Sequence, residues 1–455
     1  MRKLLLATAA TFGATLALTG GAMAQPVKPV APGTVVVHVN GYLQFEFGDF
    51  GSSVNTYTGS PISGPAGPYK LNPITTDGDA RVNFGFDAQT VTGLDYGAQV
   101  ELRTATSNAG VGAQKNTGVA AGGSTNGVES PYVKRAYGYI GSPDSGFVRV
   151  GQGDSAFSLL QTGVVEAFGD GAQFNTDGGL ASLLPTAADP GNFIYADASN
   201  LYATDKIVLL SPAVNGLSAG IGYEPNSNGL KEGYNSNTTA SSTSAALDSS
   251  SVAGDVGTRR KNTVDAEAKY VYKGDGFVAT LGGGFLYGAP ISYDGAKLAK
   301  GTSPDALGYD ALQVYQAGAQ VVFAGLTLGA NVKGGQVLDS YYFKPKGARD
   351  GLTYIVGASY VMGPIVLGGS FYDGQTSGSY YPGETVTLIT GKKIGVGRTL
   401  SEFGGALGAN YVVSPNLSLF TQYLYGHKQQ YGNSSLANLR NGQVQALGAG
   451  ATFKW

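Results

Sequence analysis

The chain has 455 residues, no cysteine and a formal net charge of −2, which excludes a disulfide scaffold and thiol chemistry as well as the basic face that nucleic acid requires. Hydrophobic residues make up 42% of it and charged residues only 13%, against about 25% charged in soluble domains. Gly at 72 and Tyr at 28 suit strands that meet lipid on one side and water on the other.

The N-terminus has the three parts of a secretory signal: Arg2 and Lys3, an apolar run from Leu4 to Leu18, and small residues ending Ala22-Met23-Ala24. Residues 1–24 are therefore expected to be removed on export, leaving a single domain over 25–455. No later run reaches the ~18 uninterrupted apolar residues of a membrane helix.

After a Pro-containing leader, alternation begins. Val35, Val37, Val39, Leu43, Phe45 and Phe47 share one parity, while His38, Asn40, Tyr42, Gln44 and Glu46 take the other. Such period-two patterning predicts a strand with one apolar and one wet face. A polar loop over 50–79 follows, then a hairpin in which Arg81 to Gln89 and Tyr96 to Arg103 flank the turn at 92–95. Charges on one parity of both strands mean that this face meets water. Tyr132 to Gly141 and Phe147 to Gly151 form the next pair.

The stretch 152–203 interrupts the rhythm. It holds six carboxylates, Asp154, Glu166, Asp170, Asp177, Asp189 and Asp197, and no Lys or Arg. Structureless connections beyond about 15 residues are functional or disordered, and this one carries anchors such as Phe157, Leu160, Val165 and Phe168, which a solvated tail would lack. The expectation is a loop folded inward that narrows a channel.

Alternation resumes at Thr204 to Ser211 and Leu217 to Tyr223. A Ser/Thr/Asn-rich loop follows, ending in Arg259-Arg260-Lys261, cations suited to anionic lipid headgroups. The later strands are Thr263 to Tyr272, Phe277 to Tyr287, Asp310 to Phe323, Gly325 to Gln336, Leu352 to Met362, Ile365 to Asp373, Glu402 to Val413, Leu417 to Gly426 and Gln443 to Trp455. The fold class is therefore all-β: a 16-stranded antiparallel transmembrane β-barrel, with short turns at one end and long loops at the other. In hydrocarbon every backbone polar group must be paired, so spanning strands close on themselves. Sixteen strands leave an aqueous channel. Tyr287, Tyr360, Tyr411, Tyr423 and Tyr425 fit interfacial girdles.

Two stretches resemble the trimeric general porins of Gram-negative outer membranes: Lys134 to Gly141 with Gly146 to Gln152, and Ile207 to Leu217 with its Ser211-Pro212 turn. The resemblance implies an outer-membrane homotrimer in contact with lipid and lipopolysaccharide, passing ions and small hydrophilic solutes. It also implies that the terminal aromatics Phe453 and Trp455 are read by the barrel assembly machinery. Trp455 stands where Phe is usual, and Gly151-Gln152 stands where porins commonly carry Gly-Arg. By the same resemblance, loop acids drawn from Asp154, Glu166, Asp170 and Asp177 would face wall cations, which parity gives as Arg81, Arg103, Lys134 and Arg149. With more loop acids than wall bases, weak cation preference is expected.

Plainer roles compete for these residues. The carboxylates could solvate the loop or cap its turns, and the basic residues could be cross-strand rungs beside Glu101 or Asp87. Arg135, on the other parity, is expected to snorkel or meet a neighbouring subunit. No metal or cofactor site is expected. An enzyme would need a partnered His, and neither His38 nor His427 has an evident partner in sequence. A sugar- or carboxylate-specific channel and a surface adhesin remain as alternatives, with Tyr42 and Tyr372 a thin aromatic track for sugar.

Overall fold

The computed structural model describes residues 32–52, 56–57, 69–70, 73–103, 131–173, 180–183, 204–226, 260–290, 310–337, 341, 343–344, 349–376, 400–430 and 442–455. The N-terminal signal segment, Asp177, Asp189, Asp197 and Arg259 lie outside these residues.

Sixteen strands form the barrel. They are β1 (Val35–Ser52), β2 (Ile74–Gln89), β3 (Asp95–Arg103), β4 (Tyr132–Ser142), β5 (Gly146–Gln152), β6 (Asp205–Leu210), β7 (Leu217–Asn226) and β8 (Arg260–Lys273), followed by β9 (Phe277–Pro290), β10 (Leu312–Phe323), β11 (Leu326–Gln336), β12 (Gly351–Met362), β13 (Ile365–Thr376), β14 (Leu400–Ser414), β15 (Leu417–Gln430) and β16 (Gly442–Lys454). Each pairs antiparallel with the next, and β16 closes on β1 with Leu43 opposite Phe453. A separate two-stranded ribbon joins Thr56–Tyr57 to Tyr69–Lys70.

The short ends use tight turns whose chemistry is local. Asn215 and Gly216 take φ of 50° and 86°, and Ala324 and Gly325 take 47° and 83°. Positive φ at both central residues matches the right-handed twist of the flanking strands. At the long-loop ends several strands run further than alternation indicated. β1 reaches Ser52 and β2 starts at Ile74, so both ends of the expected polar loop are paired backbone. β8 begins at Arg260, and β15 carries His427 as a strand residue.

Period two sorts the side chains. Phe45, Phe47, Leu281, Tyr315, Leu407 and Leu447 are exposed on one face, as lipid-facing positions of a transmembrane barrel must be. Tyr287, Tyr360, Tyr411 and Tyr423 share that face and are exposed too. The opposite face is polar and largely covered, with Glu46, Asp79, Glu101, Asp265, Glu267, Asn331 and Lys333 buried. Among the described residues no helix is long and apolar enough to cross a membrane.

Candidate functional site

The site starts from a register fault. β3 and β4 pair Glu101 with Arg135 but Leu102 with Val133, so Lys134 is an extra residue in the ladder. A bulge re-aims the side chains beside it, and both Lys134 and Arg135 are buried. Arg135 therefore corrects its sequence assignment: rather than snorkelling, it donates from Nη1 to Glu101 Oε2 at 2.6 Å and grips Asp154 from Nε and Nη2 at 2.7 and 2.9 Å. Gln152 Nε2 donates to the Lys134 carbonyl at 2.9 Å. The residue standing where porins commonly show Arg thus satisfies backbone that the bulge releases.

Beyond Asp154 the chain follows the polar face of the wall. A single helical turn, α1 (Ala156–Leu159), begins at Ser155, whose side chain accepts from Ser158 N, and the Phe157 amide donates to Asp265 Oδ1 on β8 at 2.8 Å. Wall side chains then take up the segment's carbonyls in order. Gln316 holds Phe157 O, Asn331 holds Thr162 O and Asn410 holds Gly169 O, each at 2.7 Å, while Ser370 holds Val165 O at 2.5 Å. These donors come from β10, β11, β14 and β13.

Glycines make the close approach possible. A Cβ on Gly220 would lie 2.9 Å from Ala156, on Gly329 2.6 Å from Val165, on Gly357 2.9 Å from Val165, and on Gly448 2.9 Å from Leu180. At Gly318 and Gly368 it would collide with Thr162 O and the Phe168 ring. Phe168, Leu180 and Ala181 are buried with Ile355, Tyr372 and Leu424.

At its far end Asp170 organises the turn. Its carboxylate accepts from Ala172 N at 2.8 Å and Leu180 N at 3.0 Å. Gln422 bridges to the wall, accepting from Asp170 N at 3.3 Å and donating to Glu46 on β1 at 2.8 Å. Burial raises the Asp170 carboxyl above its ordinary range, against the Ala172 and Leu180 amides. Burial would raise Asp154 likewise, but Arg135 prevails and holds it below that range.

A second assembly had no sequence signal. Phe157 packs with Leu286, Leu312 and Val314 of the wall and with Val337, Tyr341 and Phe343 from the β11–β12 connection. Lys333 Nζ lies over the Phe157 ring at 5.4 Å, and donates to Tyr341 Oη at 3.1 Å and Gln161 Oε1 at 3.3 Å. It ties two separate connections to one strand.

Comparison with known families matches residues 7–431 to the Gram-negative porins. The chain belongs to the Gram-negative porin family. Comparison with curated proteins finds no sequence match. Among solved structures, OmpTdeltaL8, a loop-deletion mutant of an outer membrane protein of Vibrio cholerae, aligns at TM-score 0.50 and 11% identity, over 92% of this chain and 99% of that one. An anion-selective porin from Comamonas acidovorans aligns at TM-score 0.50 and 13% identity, over 93% and 100%. These likenesses are of fold.

In this porin the sequence-predicted residues separate. Asp154 pairs with Arg135, Asp170 caps a turn, Glu166 is half-buried, and Asp177 lies outside the described residues. Arg103 is no cross-strand rung: it pairs along its own strand with Glu101, with Nε 2.5 Å from Oε1. Arg81 reaches Asp79 at 2.9 Å and stacks over Tyr42. Lys134 is buried in the bulge, and Arg149 stacks over Tyr137 at 5.1 Å. Phe453 and Trp455 are exposed, and Trp455 exchanges backbone hydrogen bonds with Gly41 at 3.2 Å. Tyr372 is buried among loop residues, which removes it from any solute track. Arg260, expected near lipid headgroups, is buried and bound to Glu224 at 2.7 Å. His38 meets Asp87 at 3.2 Å, a partnership the sequence did not suggest.

Proposed function

We propose that this outer-membrane porin forms a water-filled channel for passive diffusion of ions and small hydrophilic solutes, narrowed by the 152–203 connection folded inward. The carrying observation is the run of wall side chains that capture the backbone of residues 157–169 from four different strands. Sixteen strands enclose more space than their own side chains fill, and a pinned segment across that space sets its width. A hydrolytic role is disfavoured because Asp87, the partner of His38, also accepts from Tyr139 Oη, and among the described residues no Ser or Thr hydroxyl is bonded to His38.

Selectivity in this reading is weak and cation-leaning. Asp154 is matched by Arg135, and Asp170 is bonded to backbone amides, so the preference is weak and belongs to the loop acids as a set, Asp154, Glu166, Asp170 and Asp177. The protein is a homotrimer. β5 and β6 have 7 and 6 residues, about 20 Å of strand, short of an apolar band of about 25 Å, and a neighbouring copy would cover this low wall. Export by a signal cleaved after Ala24, recognition of Phe453 and Trp455 during assembly, and contact with lipopolysaccharide complete the proposal.

The test is planar-bilayer recording on detergent-purified protein under a salt gradient. Stepwise ohmic conductance in threes, with cation preference reduced by Glu166→Gln, supports the reading. Absence of conductance overturns the channel.

A further inference from the structure

Most cations on the polar face are already spent. Arg81, Arg103, Arg135, Arg260 and Lys428 each have a carboxylate within 2.5–2.9 Å. Two at the lower rim of the loop differ. The side chains of Arg149 and Lys269 make no hydrogen bond or ion pair with any described residue, and both are half-buried on the polar parity. Among the described residues the Arg149 guanidinium meets the Tyr137 ring, 5.1 Å from its centroid. Its charge also acts through space on Asp154, whose oxygens Arg135 already holds.

Position adds to this. β5 rises from the tight turn at 143–145 to the loop root at 153, so Arg149 lies on the short-turn side of the loop. Lys269 pairs in register with Gly282, the glycine on which Thr162 of the loop is seated, and β8 runs from there to the short turn at 274–276. Both cations therefore border the loop from the same side. Arg149 is in register with Asp265 through Val208 and Gly222, so Lys269 lies three strand steps across and four residues along the sheet from it, roughly 20 Å away at the Cα atoms.

We propose that Arg149, with Lys269 as its companion, is an anion-docking position on the short-turn side of the channel, and that it takes solutes bearing carboxylates. The inference rests on the channel reading above. The Tyr137 ring 5.1 Å from the guanidinium holds Arg149 at the wall, no described residue takes its N–H donors, and a guanidinium offers paired N–H donors matching the two oxygens of a carboxylate. A compact phosphate is held best by several donors converging on one point, whereas these two cations are spread along the wall. A half-buried contact screened by channel water gives weak, quickly reversed binding, which suits a solute that must also leave.

The experiment is bilayer recording with succinate added on the short-turn side, using wild type, Arg149→Gln, Arg149→Lys and Lys269→Gln. Wild-type chloride current should fall saturably with succinate. Arg149→Gln should weaken that block roughly fivefold and move the reversal potential toward cations. Lys269→Gln should do so to a smaller extent. Arg149→Lys should keep the wild-type reversal potential yet weaken the block, since an ammonium lacks the planar donor pair. Succinate block unchanged in an Arg149→Gln channel of normal step size overturns the inference, and inorganic phosphate blocking as well as succinate overturns its carboxylate class. A wild-type protein that does not conduct overturns the channel reading and takes this inference with it.

Discussion

Arg135 holds both oxygens of Asp154, with Nε at 2.7 Å from one and Nη2 at 2.9 Å from the other, while its third arm reaches Glu101. One guanidinium thus neutralises a strand carboxylate and the root of the loop. Removing one partner of a buried ion pair leaves uncompensated charge. Arg135→Leu should destabilise the protein by about 3 kcal/mol in denaturant titration in detergent, and should make single-channel current noisier as the root loosens. Asp154→Asn, which leaves the Glu101 contact, should cost less. Equal stability of wild type and Arg135→Leu would show that the pair does not anchor the loop.

The two loop carboxylates predict opposite responses to pH. Asp154 has a folded value below its unfolded one, so its contribution is present above about pH 4 and is lost as pH falls through the depressed value. Asp170 is raised, so its contribution is complete below about pH 4 and fades as pH rises through the folded value. Relative to Asp170→Asn, wild-type stability should therefore increase on acidification from pH 7 toward pH 4. Relative to Asp154→Asn it should stay level over that interval and fall only below it. A difference from Asp170→Asn that does not change with pH would refute the assignment.

The glycine track gives a third prediction. Gly318→Ala would drive a methyl into Thr162 O, and Gly368→Ala would drive one into the Phe168 ring. Overpacking of this kind costs about 1–3 kcal/mol where the loop is held, and it is relieved if the loop lifts away. Both variants should conduct more than wild type. Gly51→Ala, where a Cβ meets nothing within 4 Å, should leave step size unchanged. If all three variants conduct alike, the track does not position the loop.

How much of this was legible in sequence follows from what local pattern can carry. Strand number and face assignment were readable because each rests on period two: Phe45 and Phe47 are exposed while Gln44 and Glu46 are buried. β5 ends at Gln152 and β6 starts at Asp205, near the points where charge type and periodicity change together in the sequence. Arg135 was not, since one extra residue at Lys134 inverts parity downstream, and only pairing across β3 and β4 displays it. Strand ends such as Arg260 were lost to low-complexity neighbours that resemble loop. The Lys333 junction depends on Tyr341 and Phe343, whose segment has no period to read. A usable signal was missed as well: Gly318, Gly329, Gly357, Gly368 and Gly408 all fall on the polar parity, where glycine in a strand marks close approach of another backbone.

The barrel seam supplies the last prediction. Trp455 donates its amide to Gly41 O and accepts from Gly41 N, both at 3.2 Å, so the terminal residue is itself the last rung between β16 and β1. Its ring lies over Gly41, where an added Cβ would come within 2.9 Å of Cζ2 and strike the Arg81 carbonyl of β2. Gly41 is therefore the one seam position where β1 is squeezed between β2 and the terminal aromatic. Gly41→Val should displace the Trp455 ring and weaken closure, lowering the yield of folded barrel in detergent refolding followed by heat-shifted gel mobility. Trp455→Phe, a smaller ring on the same rung, should fold as wild type and partly rescue the Gly41→Val defect. If Gly41→Val refolds normally, or if Trp455→Phe gives no rescue, the ring does not rest on Gly41 during closure.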